Sequence, residues 1–274
     1  MSTRMTVLID DTSSKSGLLH EHGFSCALKL PNGEKWLWDT GSTDKFLQNA
    51  KTLGFQPSEF KALALSHGHY DHTGGIVPLY KAGFTGPMYA HPEYCRDRYH
   101  VEEGKESRFI GLPPFTELDP MPKVHRVQGI HQLAPGMRMV TDIPRIKGNA
   151  QNINNFYVDP QGTTVDPVPD DSCLLLDTAS GTVLLLGCCH SGMANVLTYV
   201  QEQAGVTKLH ALVGGTHLLE ASEEELDQAA KALTSLSVER VFPGHCSGQH
   251  GLAGLAKRLG DKVQGIGAGW SHHF

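Results

Sequence analysis

Residues 66–75 read Ser-His-Gly-His-Tyr-Asp-His-Thr-Gly-Gly and put three imidazoles and a carboxylate within positions 67–72. At this chain's own composition, the spacing His-x-His-x-Asp-His is expected by chance roughly 0.003 times. Neutral imidazole and ionised carboxylate are standard ligands of first-row transition ions. In an extended segment His67 and His69 project to the same side and can share one ion. A turn at Asp71 and His72 can carry those two to a second ion a few ångströms away. Such nitrogen and carboxylate donors suit zinc or iron better than magnesium or calcium. The alternative is a solvated polar loop before a helix, which the density of ligand types argues against.

Elements must hold this loop. Apolar and β-branched runs at 5–9, 25–30 and 35–38, separated by Gly, Pro and Asn, predict an antiparallel set of opening strands. Helical spacing over 43–53 is followed by a short buried strand at 61–65 that runs into the histidine loop. A further helix is expected over 73–82. Between about 91 and 166 the periodicity weakens, with strand candidates at 123–127 and 137–140, and the segment reads as an elaboration, of the kind that covers a site. A hairpin at 172–176 and 182–186 turns around Ser180-Gly181. Then come a helix over 193–203, strands at 208–213 and 238–242 alternating with helices at 223–236 and 252–259, and a strand at 262–266. Two halves that place strands before helices predict an α/β fold, a four-layer αββα sandwich, in one domain spanning 1–274.

Composition narrows the function classes. Hydrophobic residues at 39% and charged residues at 19% fill a core and argue against disorder. Lys plus Arg at 23 against Asp plus Glu at 29 gives no broad electrostatic grip on nucleic acid, so a small-molecule substrate is the expected partner. No apolar run reaches the roughly 20 residues that span a bilayer, and the first residues lack the pattern of a secretory leader. The 6 cysteines show no compact framework spacing and read as reduced thiols, which points to the cytoplasm. The 16 histidines are far above an average composition, and their clustering is what carries meaning.

The loop at 66–75 resembles the metallo-β-lactamase superfamily, whose signature is the same His-x-His-x-Asp-His. Trp38-Asp39-Thr40-Gly41 looks like that family's Asp-Thr-Gly turn, which implies that Asp39 supports the metal loop without ligating. Pro243-Gly244-His245-Cys246 follows a strand as the family's last metal histidine does. Leu186-Gly187-Cys188-Cys189-His190-Ser191-Gly192 stands where the family places its fourth motif. Three further stretches, His22-Gly23-Phe24-Ser25, Ile143-Pro144-Arg145 and Gly214-Gly215-Thr216-His217-Leu218, are similar to one subgroup. These are the metal-dependent hydrolases labelled dihydropterin ribofuranosyl-aminobenzene phosphate synthases. The ordered motifs run from His22 to His245 and so cover nearly the whole chain.

One departure matters. Most hydrolases of that superfamily carry a bridging Asp at the fourth motif and a separate His upstream of it, yet here the bridging position matches Cys188 and no His lies between His131 and His190. His190, two positions on, would share a strand face with Cys188 and is expected to replace the upstream histidine. Cys188 is a candidate ligand, with a small buried residue at a strand end as its alternative. The expected metal set is therefore His67, His69, Asp71, His72, His190, His245 and Cys188, holding two divalent transition ions, with zinc favoured over iron or manganese. His22 and His217 are expected to touch substrate or hydrogen-bond behind the ligands, or to be ordinary loop histidines. Arg145 and Lys147 read as solvated charges, with an anionic substrate group as the alternative. Asp170 and Asp171 read as turn residues.

A metal ion that lowers the pKa of bound water implies hydrolysis of a phosphoester, lactone or other ester, with Asp71 as the catalytic group that handles the proton. No Gly-x-Ser-x-Gly elbow for a serine nucleophile occurs. The rival readings are a synthase of the subgroup's label, a redox di-iron protein on the same fold, and a non-catalytic metal-binding protein.

Overall fold

The computed structural model describes residues 2–146 and 155–274; Lys147 lies outside them. Among the described residues, two large sheets face each other. The first runs in the order β16 (Ser271–His273), β1 (Arg4–Ile9), β2 (Ser25–Lys29), β3 (Lys35–Trp38), β4 (Phe60–Ala64), β5 (Met88–Ala90) and β8 (Val124–Arg126). The second runs β15 (Arg240–Gly244), β14 (Ala211–Gly215), β13 (Gly181–Leu186), β12 (Cys173–Thr178), β10 (Met137–Val140) and β9 (Ile130–Ala134). A small third sheet joins β11 (Phe156–Tyr157), β6 (Tyr99–His100) and β7 (Arg108–Phe109).

Side-chain alternation along the strands builds the layers. Met5, Val7, Trp36 and Trp38 of the first sheet meet Met137, Met139, Leu174, Leu176, Val183 and Leu185 of the second in one buried cluster. The opposite faces are covered by helices. Leu8, Leu37 and Leu63 pack on α1 (Lys45–Thr52) and α3 (Ile76–Lys81) through Phe46, Ala50, Ile76 and Leu79. Leu175, Leu184, Leu212 and Val241 pack on α4 (Met193–Ala204), α5 (Glu223–Ser235) and α6 (Gly248–Leu259). The result is the expected four-layer α/β sandwich. No described helix is long and apolar enough to cross a membrane.

Two local expectations are corrected. The helix expected over 73–82 begins earlier, as a single turn α2 (Tyr70–Thr73), and restarts at Ile76 after Gly74-Gly75. A Cβ at Gly74 would lie 2.1 Å from the Ser42 carbonyl oxygen and one at Gly75 2.4 Å from that of Thr40, so the break lets the two backbones touch. Residues 262–266 form no strand; a 3-10 turn, Gly260–Lys262, precedes a single bridge between Val263 and Val241. The last strand is instead β16, pairing antiparallel with β1 in the register Arg4 to His273. Within the middle segment, β8 joins the first sheet and β9 and β10 the second, while β6, β7 and β11 make up the third.

In each large sheet a parallel run, β3-β4-β5-β8 and β13-β14-β15, aligns strand ends so that loops leave from one edge. Open sheets of this kind place ligands at the carboxyl ends of their strands. The loops that follow β1, β3, β4, β13, β14 and β15 carry the clustered histidines and aspartates.

Candidate metal centre

Two sets of side chains converge at that edge. His67, His69 and His190 form one; Asp71, His72, Cys188 and His245 form the other, and every residue in both is buried. In the first, His67 Nε2 lies 2.9 Å from His69 Nδ1 and 3.2 Å from His190 Nε2. In the second, His72 Nε2 is 3.1 Å from Cys188 Sγ and 3.1 Å from His245 Nε2, and Asp71 Oδ2 is 3.3 Å from His245 Nε2. One nitrogen cannot satisfy two ring neighbours at once by hydrogen bonding, because it carries either one proton or one lone pair. A common cation satisfies all of them. Tetrahedral ligands with metal–nitrogen bonds of about 2.0–2.1 Å stand about 3.3 Å apart, which the ring-nitrogen separations approach. The residues present therefore fit two transition ions.

The electrostatics agree with that fit. Burial holds His67, His69 and His190 well below the usual imidazole range, reinforced by neighbouring histidines and, for His67 and His69, by Arg98. Neutral imidazoles are the form that binds metal. Burial would raise Asp71, but His72, His245 and His69 outweigh it and keep the carboxyl well below its ordinary value. Burial pushes the Cys188 thiol well up, so an ion there would have to displace its proton.

Carboxylates hold the second set from behind. Asp39 Oδ2 is 2.7 Å from His72 Nδ1, while its Oδ1 accepts the Ser66 N–H at 2.7 Å. Asp11 Oδ1 is 2.6 Å from His245 Nδ1, and its Oδ2 is 2.9 Å from His22 Nδ1. Asp10 and Asp11 were missed in the sequence. Their signal is a pair of carboxylates directly after a buried strand, at the strand end where the other site loops lie. Ser66 Oγ reaches both sets, 2.6 Å from Asp39 Oδ2 and 2.9 Å from His67 Nδ1.

Backbone conformation aims several of these groups. Asp39, Cys189, His217 and His245 all adopt positive φ, at 58°, 65°, 53° and 48°. Non-glycine residues held there cost about 1–3 kcal/mol each and cluster at functional sites. The turn at Cys189 corrects the expected route to His190. Strand β13 ends at Leu186, so Cys188 and His190 do not share an extended strand face. The left-handed residue between them brings Cys188 toward His72 and His190 toward His67. Cys189 itself packs into the helix-side core.

His22 lies at the mouth, its Nε2 3.3 Å from Asp71 Oδ2. The His217 ring is 4.5 Å from that of His190, and its Nδ1 is buried without a hydrogen-bond partner among the described residues. Arg145 is not a solvated charge: it donates to the Val168 carbonyl. Asp170 lies in a turn, as expected, with the Asp171 N–H donating to the Val168 carbonyl at 3.1 Å, but both aspartates are buried, Asp170 against Arg98 and Asp171 against the Ser191 N–H. His100, which carried no signal in the sequence, lines the cavity above the two sets together with Arg108 and Phe156; the cavity measures about 610 Å³. The Arg108 guanidinium stacks over the Tyr70 ring at 5.6 Å, and Phe156 stands edge-on to His69 at 5.2 Å.

Comparison with known proteins bears on the family and the fold. The sequence model of the metallo-beta-lactamase superfamily matches residues 25–245. The 7,8-dihydropterin-6-methyl-4-(beta-D-ribofuranosyl)-aminobenzene-5'-phosphate synthase of Methanocaldococcus jannaschii is 28% identical over 256 residues, 89% of this chain and 86% of that protein. The crystal structure of Tm1679, described as a metal-dependent hydrolase of the beta-lactamase superfamily, superposes with a TM-score of 0.85 at 29% identity, covering 99% of each chain. A diphosphatase of the PhnP family gives 0.57 at 15% identity, over 99% of this chain and 98% of that one, and bears on the fold alone.

Proposed function

Since the chain belongs to the metallo-β-lactamase superfamily, whose hydrolase-like fold it has, we propose that it is a metal-dependent hydrolase of a small ester-type molecule. A phosphoester is favoured over a lactone or other ester. The observation that carries the reading is the convergence of two buried ligand sets on the floor of one cavity. Two divalent ions held there, zinc best matching the nitrogen and sulfur donors with iron or manganese as alternatives, would supply an activated water and polarise the attacked oxygen.

The chain's own groups do the rest. Asp71 is the proton-handling residue. Its Oδ2 lies 3.3 Å from His22 Nε2, and His22 is half exposed at the mouth, so a proton taken at Asp71 can leave through His22 toward the departing group. Hydrogen bonding to Asp11 raises His22 above the ordinary imidazole range, against the opposing effect of burial. Arg108 and His100 at the cavity wall offer donors to an anionic group, the basis for preferring a phosphoester. Phe156 closes the wall over His69 and His190 and excludes water from that side. The cavity volume suits a small molecule.

A second reading, a synthase-type reaction of the kind named for the M. jannaschii protein, is supported by a match along most of both chains. It would use the same cavity with a nucleophile other than water. Metal content by elemental analysis, followed by phosphomonoester, phosphodiester and lactone panels with and without chelator, tests the proposal. Chelator-sensitive, metal-restored hydrolysis of a phosphoester is expected. Bound metal with no hydrolysis of any of these would overturn it in favour of the synthase or binding readings.

A further inference from the structure

We propose that Asp170-Asp171-Ser172, with Arg98 behind it, is a positioning clamp that sets the geometry of the three-imidazole set His67, His69 and His190. Each residue of the tripeptide ties down a different piece of backbone next to one of those ligands. Asp170 Oδ2 accepts the Gly68 N–H at 2.7 Å, between His67 and His69. Asp171 Oδ2 accepts the Ser191 N–H at 2.7 Å, beside His190. Ser172 donates its Oγ–H to the Ser66 carbonyl at 2.6 Å and its N–H to the same oxygen at 2.9 Å, just before His67. One short segment at the start of β12 thus fixes the two loops that must meet.

The clamp is itself held. Arg98 is fully buried, with Nε 3.0 Å from Asp166 Oδ2 and one terminal nitrogen 2.5 Å from Asp170 Oδ1. The same terminal nitrogen also donates to the Glu93 carbonyl at 3.2 Å. The two Asp170 oxygens therefore do separate work, one toward Arg98 and one toward Gly68. Gly68 has no room to move away: a Cβ there would lie 1.9 Å from the Tyr94 carbonyl oxygen, so the loop is pressed between segment 93–98 and Asp170. By contrast, Asp39 and Asp11 hold imidazole rings directly in the other set. The clamp acts on backbone, and through it on where the rings sit.

This inference rests on reading His67, His69 and His190 as metal ligands, and the test separates the two. Zinc binding is measured on the metal-free full chain by competition with a chromophoric chelator. A His245→Ala background leaves the three-imidazole set intact while damaging the other. Asp170→Asn offers one acceptor oxygen to two donors on opposite sides and should weaken zinc in that background by about 10–100-fold, as removal of a hydrogen-bonded support behind a metal ligand does. Asp166→Asn weakens the neighbouring Arg98–Asp166 pair but leaves both Asp170 oxygens, and the tethers to Gly68, Ser191 and Ser66, in place. It should lower the melting temperature as Asp170→Asn does yet weaken zinc by no more than about a fewfold relative to the background protein. If Asp170→Asn does not fold, Asp171→Ala, which leaves the Ser191 N–H without its acceptor, and Ser172→Ala, which removes one of the two donors to the Ser66 carbonyl, should each give a selective loss. Background affinity retained in the tether variants, or an equal loss in Asp166→Asn, would overturn the clamp. A wild-type chain that takes up no zinc would overturn the ligand reading, and the clamp with it.

Discussion

The two ligand sets are supported in different ways. In the mixed set the outer ring nitrogens face carboxylates, His72 Nδ1 toward Asp39 and His245 Nδ1 toward Asp11, and the inner face includes the charge of Asp71. In the three-imidazole set His67 leans on a serine hydroxyl, while His69 Nε2 and His190 Nδ1 have no hydrogen-bond partner among the described residues. A carboxylate behind an imidazole fixes its tautomer and makes it a stronger donor. The mixed set would therefore bind an ion tightly through its side chains, whereas the three-imidazole set would depend on where its backbone is placed. Two ions taken up by this chain should bind with unequal affinity, the mixed set filling first.

The largest expected effect lies where the sets meet the reacting group. Asp71→Asn keeps the shape and removes the charge and the proton acceptor, and general acid–base groups contribute about 10²–10⁴ in rate. Turnover should fall by about 10³, more than substrate binding does. A variant whose kcat stays within a fewfold of the parent would remove Asp71 from the proton path.

Next in size is the carboxylate support. Asp11→Asn loses its charge toward both His245 and His22 and should weaken the tighter ion by about 10–100-fold while leaving the weaker one as it was. Two-site chelator competition reads this directly. Equal weakening of both ions would mean that the comparison between the sets is wrong.

That asymmetry also marks what a linear sequence can reveal. His67, His69, Asp71 and His72 lie within one loop, so their spacing alone announces shared chemistry. The apolar runs at 5–9, 35–38, 172–176 and 182–186 marked the strands because each has one face in the sheet-to-sheet core and one toward helices. Asp11 and Asp170 escaped because their importance comes from burial beside residues far away in sequence, His245 and Gly68, and an Asp-Asp pair at a strand end looks like a turn. Cys188 and His190 were expected on one strand face, whereas the chain reaches the same region through the left-handed Cys189. Local period cannot register a single residue of positive φ that is not glycine. The strand expected at 262–266 failed for a related reason: its apolar residues meet the core from a turn and a single bridge.

A smaller effect distinguishes sulfur from carboxylate in the mixed set. Cys188 Sγ lies 3.1 Å from His72 Nε2, on the side of the common point. Cobalt loading should give a thiolate charge-transfer band that Cys188→Ser abolishes, with zinc affinity at that set lowered by about tenfold, since thiolate is the softer donor. A cobalt spectrum without that band in the parent protein would take Cys188 out of the ligand set.

The smallest expected effect is the one shared by both sets. Ser66 Oγ is 2.6 Å from Asp39 Oδ2, 2.9 Å from His67 Nδ1 and 3.3 Å from His72 Nδ1, so it is the hydroxyl through which the two supports touch. In Ser66→Ala, Asp39 still accepts the Ser66 N–H and still faces His72, so the mixed set loses only one neighbouring hydrogen bond. His67 loses its contact behind the ring. Each loss is worth about 1 kcal/mol, or roughly fivefold in affinity. Both ions should therefore weaken by a similar, modest factor, unlike the one-sided losses expected for Asp11→Asn and Asp170→Asn. A loss confined to a single ion would show that the hydroxyl serves one set, and a loss beyond about a hundredfold would mean that Asp39 cannot hold the mixed set without it.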